Sequence, residues 1–430
     1  MTTQHEKSCR GEISPQMEKV AADENIAVEK VMQDLASGRA VMPVNPRHEG
    51  ISPTIVGRSF RTKVNANIGR SQEASSPEEE ACKLSIAVSA GADFVMDLSV
   101  GKDLSEIRKD LLKSSSLPFG TVPIYEAFAR ADNSIENFSI ELMLDVIAEQ
   151  AEQGVDFMTL HAGILRAHVG LAQKRLMGIA SRGGAITADW MKTHDKENPL
   201  YENWGRVLEI CRKHDVTVSL GDGLRPGCLA DASDEAQFAE LEALGELVRS
   251  CRESNVQVMV EGPGHVPFNQ IRDNMERERD VCAEAPFYVL GPVVVDIAPG
   301  YDHITSCIGA TAAAFYGASL LCYVTPAEHL GLPTAEDVRQ GVIAYRIAAH
   351  AADVALGLPG AREADDEMAR ARMAFDWKKQ FELAMDGDTA RAKYEQSRKS
   401  DSSLENEEDH CSMCGRDFCA VRVSKRLRGE

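Results

Sequence analysis

The sequence predicts an α/β chain built on a (β/α)₈ barrel, with a short N-terminal helical segment before it and a C-terminal helical, tethered cysteine segment behind it. From Lys63 onward, short apolar or β-branched runs alternate with helical patterns. Such alternation marks a parallel sheet joined by crossover helices. It fills roughly 260 residues, the length an eightfold barrel needs. No glycine-rich dinucleotide fingerprint opens the first unit, so an open doubly wound sheet is the weaker alternative. The expected division is 1–60 for the N-terminal segment, 61–357 for the barrel, 358–396 for C-terminal helices and 397–430 for the tether and cysteine segment.

Residues 10–40 read as two short helices. Ser14-Pro15 starts the first, with proline at the first helical position. The second, over 27–37, carries Val28, Val31, Met32 and Leu35 on one face and stops at Gly38. Residues 41–57 contain Pro43, Pro46 and Pro53 and read as irregular. Nine strand-like runs follow, at 63–68, 94–98, 121–125, 157–161, 178–184, 216–220, 256–261, 293–297 and 320–324. Nine is one too many for the barrel, so one is an inserted strand or loop. Ser76-Pro77-Glu78-Glu79 is a capping box that opens a helix to about residue 90. Further helices are expected over 104–113, 140–153 and within 235–254. Beyond Gly357, residues 361–383 read as helical, with Met373, Trp377 and Phe381 as a packing stripe. Residues 397–409 are polar and acidic and read as a flexible tether.

A chain of 430 residues, 43% of them hydrophobic, can bury a large core. The formal charge of -20, with no basic block, argues against nucleic acid as a partner. No apolar run approaches the length of a membrane span, and the polar N-terminus lacks the apolar core of a secretory signal. The expectation is therefore no membrane partner and a cytoplasmic location. Of the 11 cysteines, those outside the tail are scattered and read as reduced, small apolar residues.

In a barrel of this kind, catalytic groups lie at the C-terminal ends of the strands. Asn67, Asp97, Tyr125, His161, Ser181-Arg182, Asp222, Glu261 and His265 each follow or close an apolar run. That is too many in register for helix capping alone. Ser181-Arg182-Gly183-Gly184 and Gly221-Asp222-Gly223-Leu224-Arg225-Pro226-Gly227 each combine an arginine, small residues and free backbone N–H groups. Either alone is equally a tight strand-to-helix turn; together they suit an anionic small molecule, a phosphate ester. Glu261-Gly262-Pro263-Gly264-His265 and Glu328-His329 set imidazoles beside carboxylates at two late strand ends. They suit a shared divalent metal or hydrogen-bonded structural histidines. In the tail, Cys411, Cys414 and Cys419 are spaced C-x₂-C-x₄-C. Three close thiolates suit an iron–sulfur cluster with one iron left open. A structural zinc site with His410 as fourth ligand is the competing reading.

Several stretches together carry a family resemblance. They are Val64-Asn65-Ala66-Asn67-Ile68-Gly69, Gly120-Thr121-Val122-Pro123-Ile124-Tyr125, the two arginine turns above, Glu261 through Pro267, Asp296 through Thr305, Tyr323 through Pro333, and Cys411-Ser412-Met413-Cys414. From about Gly38 to Cys419 the chain resembles the phosphomethylpyrimidine synthase family of thiamin biosynthesis. The resemblance implies a radical S-adenosylmethionine enzyme on a (β/α)₈ barrel, acting as a homodimer on 5-aminoimidazole ribotide. It implies substrate contacts at Asn67, Met96, Tyr125, His161, Ser181, Arg182, Gly183, Asp222, Gly223, Leu224, Arg225, Glu261 and Tyr288. It also implies a divalent metal, usually zinc, on His265 and His329, and a [4Fe–4S] cluster on Cys411, Cys414 and Cys419. The electron donor stays unnamed. On this resemblance, the open iron binds S-adenosylmethionine, and the 5′-deoxyadenosyl radical abstracts hydrogen from the ribose.

Three departures flank these positions. Val100 stands where many members have threonine and cannot make its hydrogen bond. Pro43-Val44-Asn45-Pro46-Arg47-His48 replaces Pro-Ala-Asn-Ile-Asn-His, and Met177-Gly178-Ile179-Ala180 replaces Thr-Gly-Ile-Val. They lead to the expectation of a redirected outcome, 5-hydroxybenzimidazole for anaerobic cobamide synthesis, made by a sister enzyme of the family. The alternative is the thiamin pyrimidine phosphate itself. A zinc-stabilised binding protein is the reading from a different class.

Overall fold

The computed structural model describes residues 2–71, 74–101, 103–399 and 410–429. The chain forms two units, Met1–Leu356 and Gly357–Glu430.

The first unit is a closed barrel of eight parallel strands. They are β1 (Lys63–Ile68), β2 (Phe94–Asp97), β3 (Phe119–Thr121), β4 (Phe157–Leu160), β5 (Thr217–Leu220), β6 (Val258–Gly262), β7 (Phe287–Leu290) and β8 (Leu320–Cys322). β8 closes on β1, with Leu320 opposite Lys63 and Cys322 opposite Asn65. The strands are buried along nearly their whole length, as expected when helices cover the outside and side chains fill the inside. The capping box forms as read: Ser76 Oγ accepts from Glu79 N–H and the Glu79 carboxylate accepts from Ser76 N–H, opening the helix Pro77–Ala90.

Two of the nine expected strands are not strands. Residues 178–184 are a loop running into the helix Arg182–His194, which Ser181 caps. Residues 293–297 are irregular, apart from a bridge between Val293 and His265. The strand missing from the sequence reading is β7. Its four residues lie between Pro286 and Gly291-Pro292, too short for periodicity to show, and the β-branched run behind them was the stronger lure. The third strand also begins earlier than expected, at Phe119, because Pro123 already occupies the first turn of the helix Pro123–Arg130.

The N-terminal residues seal the lower end of the barrel. There are three helices, Gln4–Cys9, Pro15–Asp23 and Val28–Ala36. The first was overlooked although Thr3-Gln4-His5-Glu6 is a capping box, and it forms as one. Residues 41–57 are not wholly irregular, since Ala40–Val41 pairs antiparallel with Val56–Gly57. Lys63, fully buried at the start of β1, is neutralised by Glu24 at 2.9 Å.

Asp156, just before β4, ties this layer to the barrel. Its carboxylate accepts from Asn45 N–H at 2.8 Å, Phe119 N–H at 2.7 Å and His48 Nδ1 at 2.6 Å. Burial works against a charge on His48, but Asp156 outweighs it and raises the pKa. Asp156→Ala strands two backbone donors and an imidazole in the interior. The expected cost is about 3–5 kcal/mol, read as a lowered denaturation midpoint. A loss under about 1 kcal/mol would show that water replaces the carboxylate.

The second unit is helical: Ala361–Ala374, Trp377–Leu383, Gly387–Lys399, Gly415–Phe418 and Ala420–Arg428. The single helix expected over 361–383 is broken at Phe375, which is left-handed at φ 59°. Asp376 caps the next helix through Lys379 N–H. Trp377 stacks on Tyr394 at 4.4 Å, and Phe381 lies 5.5 Å from the same ring, so these two stripe residues pack within this unit. Of the expected tether, residues 397–399 are helical and 400–409 lie outside the described residues.

Candidate active site

A hydrogen-bonded floor closes the barrel interior. Asn65 Nδ2 donates to Asn67 Oδ1 and to the Tyr288 hydroxyl, both at 2.7 Å. Asn67 Nδ2 reaches Cys322 Sγ at 3.0 Å. The Thr159 hydroxyl donates to Glu261 Oε1 at 2.7 Å. Above this floor lies a cavity of about 90 Å³. Asn67, Met96, Tyr125, His161, Arg182, Asp222, Arg225, Glu261 and Tyr288 all line it, so nine of the expected substrate contacts come together from the strands β1 to β7 and the segments that follow them. Asp97 does not join them; its carboxylate turns back to Ser99 N–H at 2.9 Å.

Thr159, Cys322, Leu98 and Val122 also line the cavity and were missed. For Thr159, a signal was present. Alternate residues of a strand share a face, and Thr159 stands two before His161.

The remaining predicted contacts shape the wall. Ser181 Oγ accepts from Gly184 N–H at 3.1 Å and sits 3.2 Å from His161 Nε2. Burial, with Arg225 and Arg182 nearby, pushes the His161 pKa down to about 3, so the imidazole is neutral. Gly183 has no room for a side chain, since a Cβ there would lie 2.2 Å from the His161 ring. A Cβ at Gly184 would come equally close to the Gly223 carbonyl oxygen. The start of the helix Arg182–His194 is thereby pressed against the Asp222–Arg225 turn. Arg182 lies over the Tyr125 ring at 4.7 Å, and Arg225 Nη1 meets Asp222 Oδ1 at 3.2 Å. Leu224 is buried, and its N–H is held by Glu240.

Gly184→Ala drives a methyl into backbone, which should destabilise by about 1–3 kcal/mol. Gly205→Ala, in a helix with open space around it, should be neutral or slightly stabilising. Thermal unfolding of the pair measures the contrast.

The cavity opens into a mouth of about 490 Å³, which shares Asn67, Arg182 and Arg225 with it. The inner space alone is small; with the mouth it reaches the size of a small-molecule site. His265 and His329 line this mouth, their rings 5.2 Å apart. His265 Nδ1 is 2.8 Å from Asp296 Oδ1, and His329 Nδ1 is 3.5 Å from Asp302 Oδ1. A carboxylate behind Nδ1 leaves Nε2 as the free donor, the usual support of a metal-binding histidine. The pair therefore fits a divalent metal held by two protein nitrogens. Among the described residues, no three His, Cys, Asp or Glu side chains are grouped as a complete metal site.

In the second unit, Cys411, Cys414 and Cys419 are all free thiols. Cys414 and Cys419 each stand directly before a helix, Gly415–Phe418 and Ala420–Arg428. Three unpaired thiols within nine residues suit iron–sulfur ligation by donor type.

A sequence profile of the radical SAM ThiC family matches residues 3–426. The chain belongs to that family. It is a radical S-adenosylmethionine enzyme, and ThiC membership implies a [4Fe–4S] cluster and S-adenosylmethionine. Proteins called phosphomethylpyrimidine synthase from Natronomonas pharaonis and Haloarcula marismortui are 58% and 55% identical over 428 residues. The alignments cover 100% of this chain and 89% and 88% of theirs. Among solved structures, a dihydropteroate synthase from Xanthomonas albilineans covers 74% of this chain and 100% of its own, at 12% identity and a TM-score of 0.43.

The full-length relatives of this ThiC chain overturn the expectation of a 5-hydroxybenzimidazole product and of a cobamide role, and they support the thiamin pyrimidine alternative. The zinc-stabilised binding protein falls with it. The structure supplies a physical reason why the three departures misled. Pro46 is exposed beside Asn45 and His48, which bind Asp156 ahead of β4, at the opposite end of the barrel from the cavity. Val100 does not line the cavity or its mouth. Met177 and Ala180 do line the mouth, Met177 on its outer rim with 55% of its surface exposed, but neither lines the inner cavity.

Proposed function

We propose that this chain is a phosphomethylpyrimidine synthase, converting 5-aminoimidazole ribotide into 4-amino-5-hydroxymethyl-2-methylpyrimidine phosphate for thiamin synthesis. The observation that carries this reading is 58% identity across the whole chain to a protein of that name. The cavity supports it. Two arginines and the start of the helix Arg182–His194 suit the phosphate. Tyr125 and Met96 offer apolar surface to the imidazole. Asp222 and Glu261 accept from its amino group, and neutral His161 hydrogen-bonds without adding charge.

Cys411, Cys414 and Cys419 would hold the cluster, and His265 with His329 a divalent metal, taken as zinc. Cluster and S-adenosylmethionine together supply a carbon radical. The barrel residues bind the ribotide, fix its orientation and keep water from the reacting sugar. On the same reading the enzyme is a cytoplasmic homodimer served by an electron-donor protein.

The deciding experiment is an anaerobic assay with the ribotide, S-adenosylmethionine and a reductant. A phosphorylated pyrimidine is expected. An unphosphorylated, hydroxylated benzimidazole, or a colourless protein without iron and sulfide, would overturn the proposal.

A further inference from the structure

Behind the cavity wall lies a smaller space of about 30 Å³, lined by Asp222, Arg225, Glu240, Glu261, Gln237 and Asn274 among others. It has room for a water, which needs two or more polar partners, and two unsatisfied oxygens are available. Glu240, from the helix Glu235–Glu253, is 2% exposed and its Oε1 has no hydrogen-bond partner among the described residues; the same holds for Asp222 Oδ2. Glu240 Oε2 accepts from Leu224 N–H at 2.6 Å.

The charge count is unbalanced. Asp222, Glu240 and Glu261 are three acids, and Arg225 is the one base lining this space. Two uncompensated negative charges would be costly in such surroundings, and protonation removes the cost. Asp222 already has Arg225, while Glu261 is satisfied by the hydroxyls of Thr159 and Ser219. Glu240 has only backbone donors, Leu224 N–H at 2.6 Å with Gly223 N–H beside it, and no cation within hydrogen-bonding distance. The charged groups bearing on it are Arg175 and Arg225, with Asp222 and Glu261 beyond the space; Arg175 is itself matched by Asp234 at 2.7 Å. Gln237 and Asn274 are neutral.

We propose that Glu240 is a positioning residue that carries a proton: neutral, it donates its O–H through a water in this space to Asp222 and so holds the Asp222–Arg225 turn against the substrate. Burial agrees in direction, pushing its pKa up to about 8 against the pull of Leu224 and Gly223 N–H and the two arginines. Ionisation of Glu240 sets a charge opposite Asp222, spoils the turn and weakens binding of an anionic ligand. Only the identity of that ligand rests on the function proposed above.

Infrared spectroscopy of the full-length protein tests the proton directly. The wild type should show the carbonyl stretch of a protonated carboxylic acid at neutral pH, shifting in D₂O and fading as pH passes about 8. One such band should be missing from Glu240→Gln. Calorimetric titration with 5-aminoimidazole ribotide tests the positioning. Wild-type affinity should fall about tenfold per pH unit above that point, whereas Glu240→Gln should bind within about threefold of wild type at neutral pH and lose this alkaline limb. A purely structural glutamate would leave the limb in place. The proposal is overturned by an unchanged band or limb in Glu240→Gln, or by a wild type whose carboxylic bands do not titrate. The last result decides even if the variant fails to fold. Absence of ribotide binding by wild type at every pH refutes the proposed substrate instead, and the infrared result still decides on Glu240.

Discussion

Replacing Cys414 with alanine should give a protein that folds but holds no iron–sulfur cluster and does not cleave S-adenosylmethionine. Cys414 is exposed, so its removal should cost little stability. Three thiolates act as one unit on a cluster, and groups that act as a unit lose nearly everything when one is taken. Iron and sulfide should drop from near four per chain to background, and product formation by roughly 10³-fold or more. Cys82→Ser is the matched control, because Cys82 is also exposed but lies on the helix Pro77–Ala90. Full iron content in Cys414→Ala would remove that cysteine from the ligand set. Equal loss in Cys82→Ser would point to general instability.

Arg225→Met should be the most damaging single change inside the barrel. Its guanidinium faces Asp222 and compensates Glu261 in a largely dehydrated site. Taking one partner from a buried ion pair costs about 3–5 kcal/mol, and on the proposed function the ribotide phosphate would lose a forked donor as well. Burial already raises the pKa values of Asp222 and Glu261, and Arg225 holds them down. Without it they rise further in the folded state. The variant's stability deficit should therefore grow as pH rises and close at acid pH, where both acids are protonated with or without the arginine. Arg225→Lys keeps the charge but not the planar fork, so it should recover stability more than affinity. Denaturation midpoints across pH, with ribotide titration at neutral pH, measure both effects. A deficit independent of pH would mean that the arginine acts through packing alone.

The barrel was legible in the sequence because its signal repeats. Each strand is a short apolar run followed by a helical pattern, and eight such units can be recognised even with errors in single ones. The errors fell where the local signal was weak or misleading. β7 is four residues between prolines, while 293–297 is β-branched but follows the turn at Gly291-Pro292. The helix break at Phe375 was invisible because Met373, Trp377 and Phe381 keep helical spacing across it.

The site residues divide the same way. Residues beside a distinctive turn or glycine pair, such as Arg182, Asp222 and Arg225, could be named from the chain alone. Cys322 and Glu240 could not, because a cysteine in a strand and a glutamate in a helix are ordinary residues there. They matter only for what closure of the barrel sets opposite them.

The sequence by itself determined the alternation of strands and helices, the capping boxes, the two arginine turns and the cysteine spacing. Each depends on residues close together in the chain, where backbone sterics and hydrogen bonding act locally. Tertiary structure alone decided which polar groups share the cavity, and that Asp97 and Pro46 stay away from it. It also decided that three carboxylates crowd around one guanidinium. Those outcomes come from contacts between distant strands and helices, where burial sets the cost of each charge and the partner across the barrel sets its compensation.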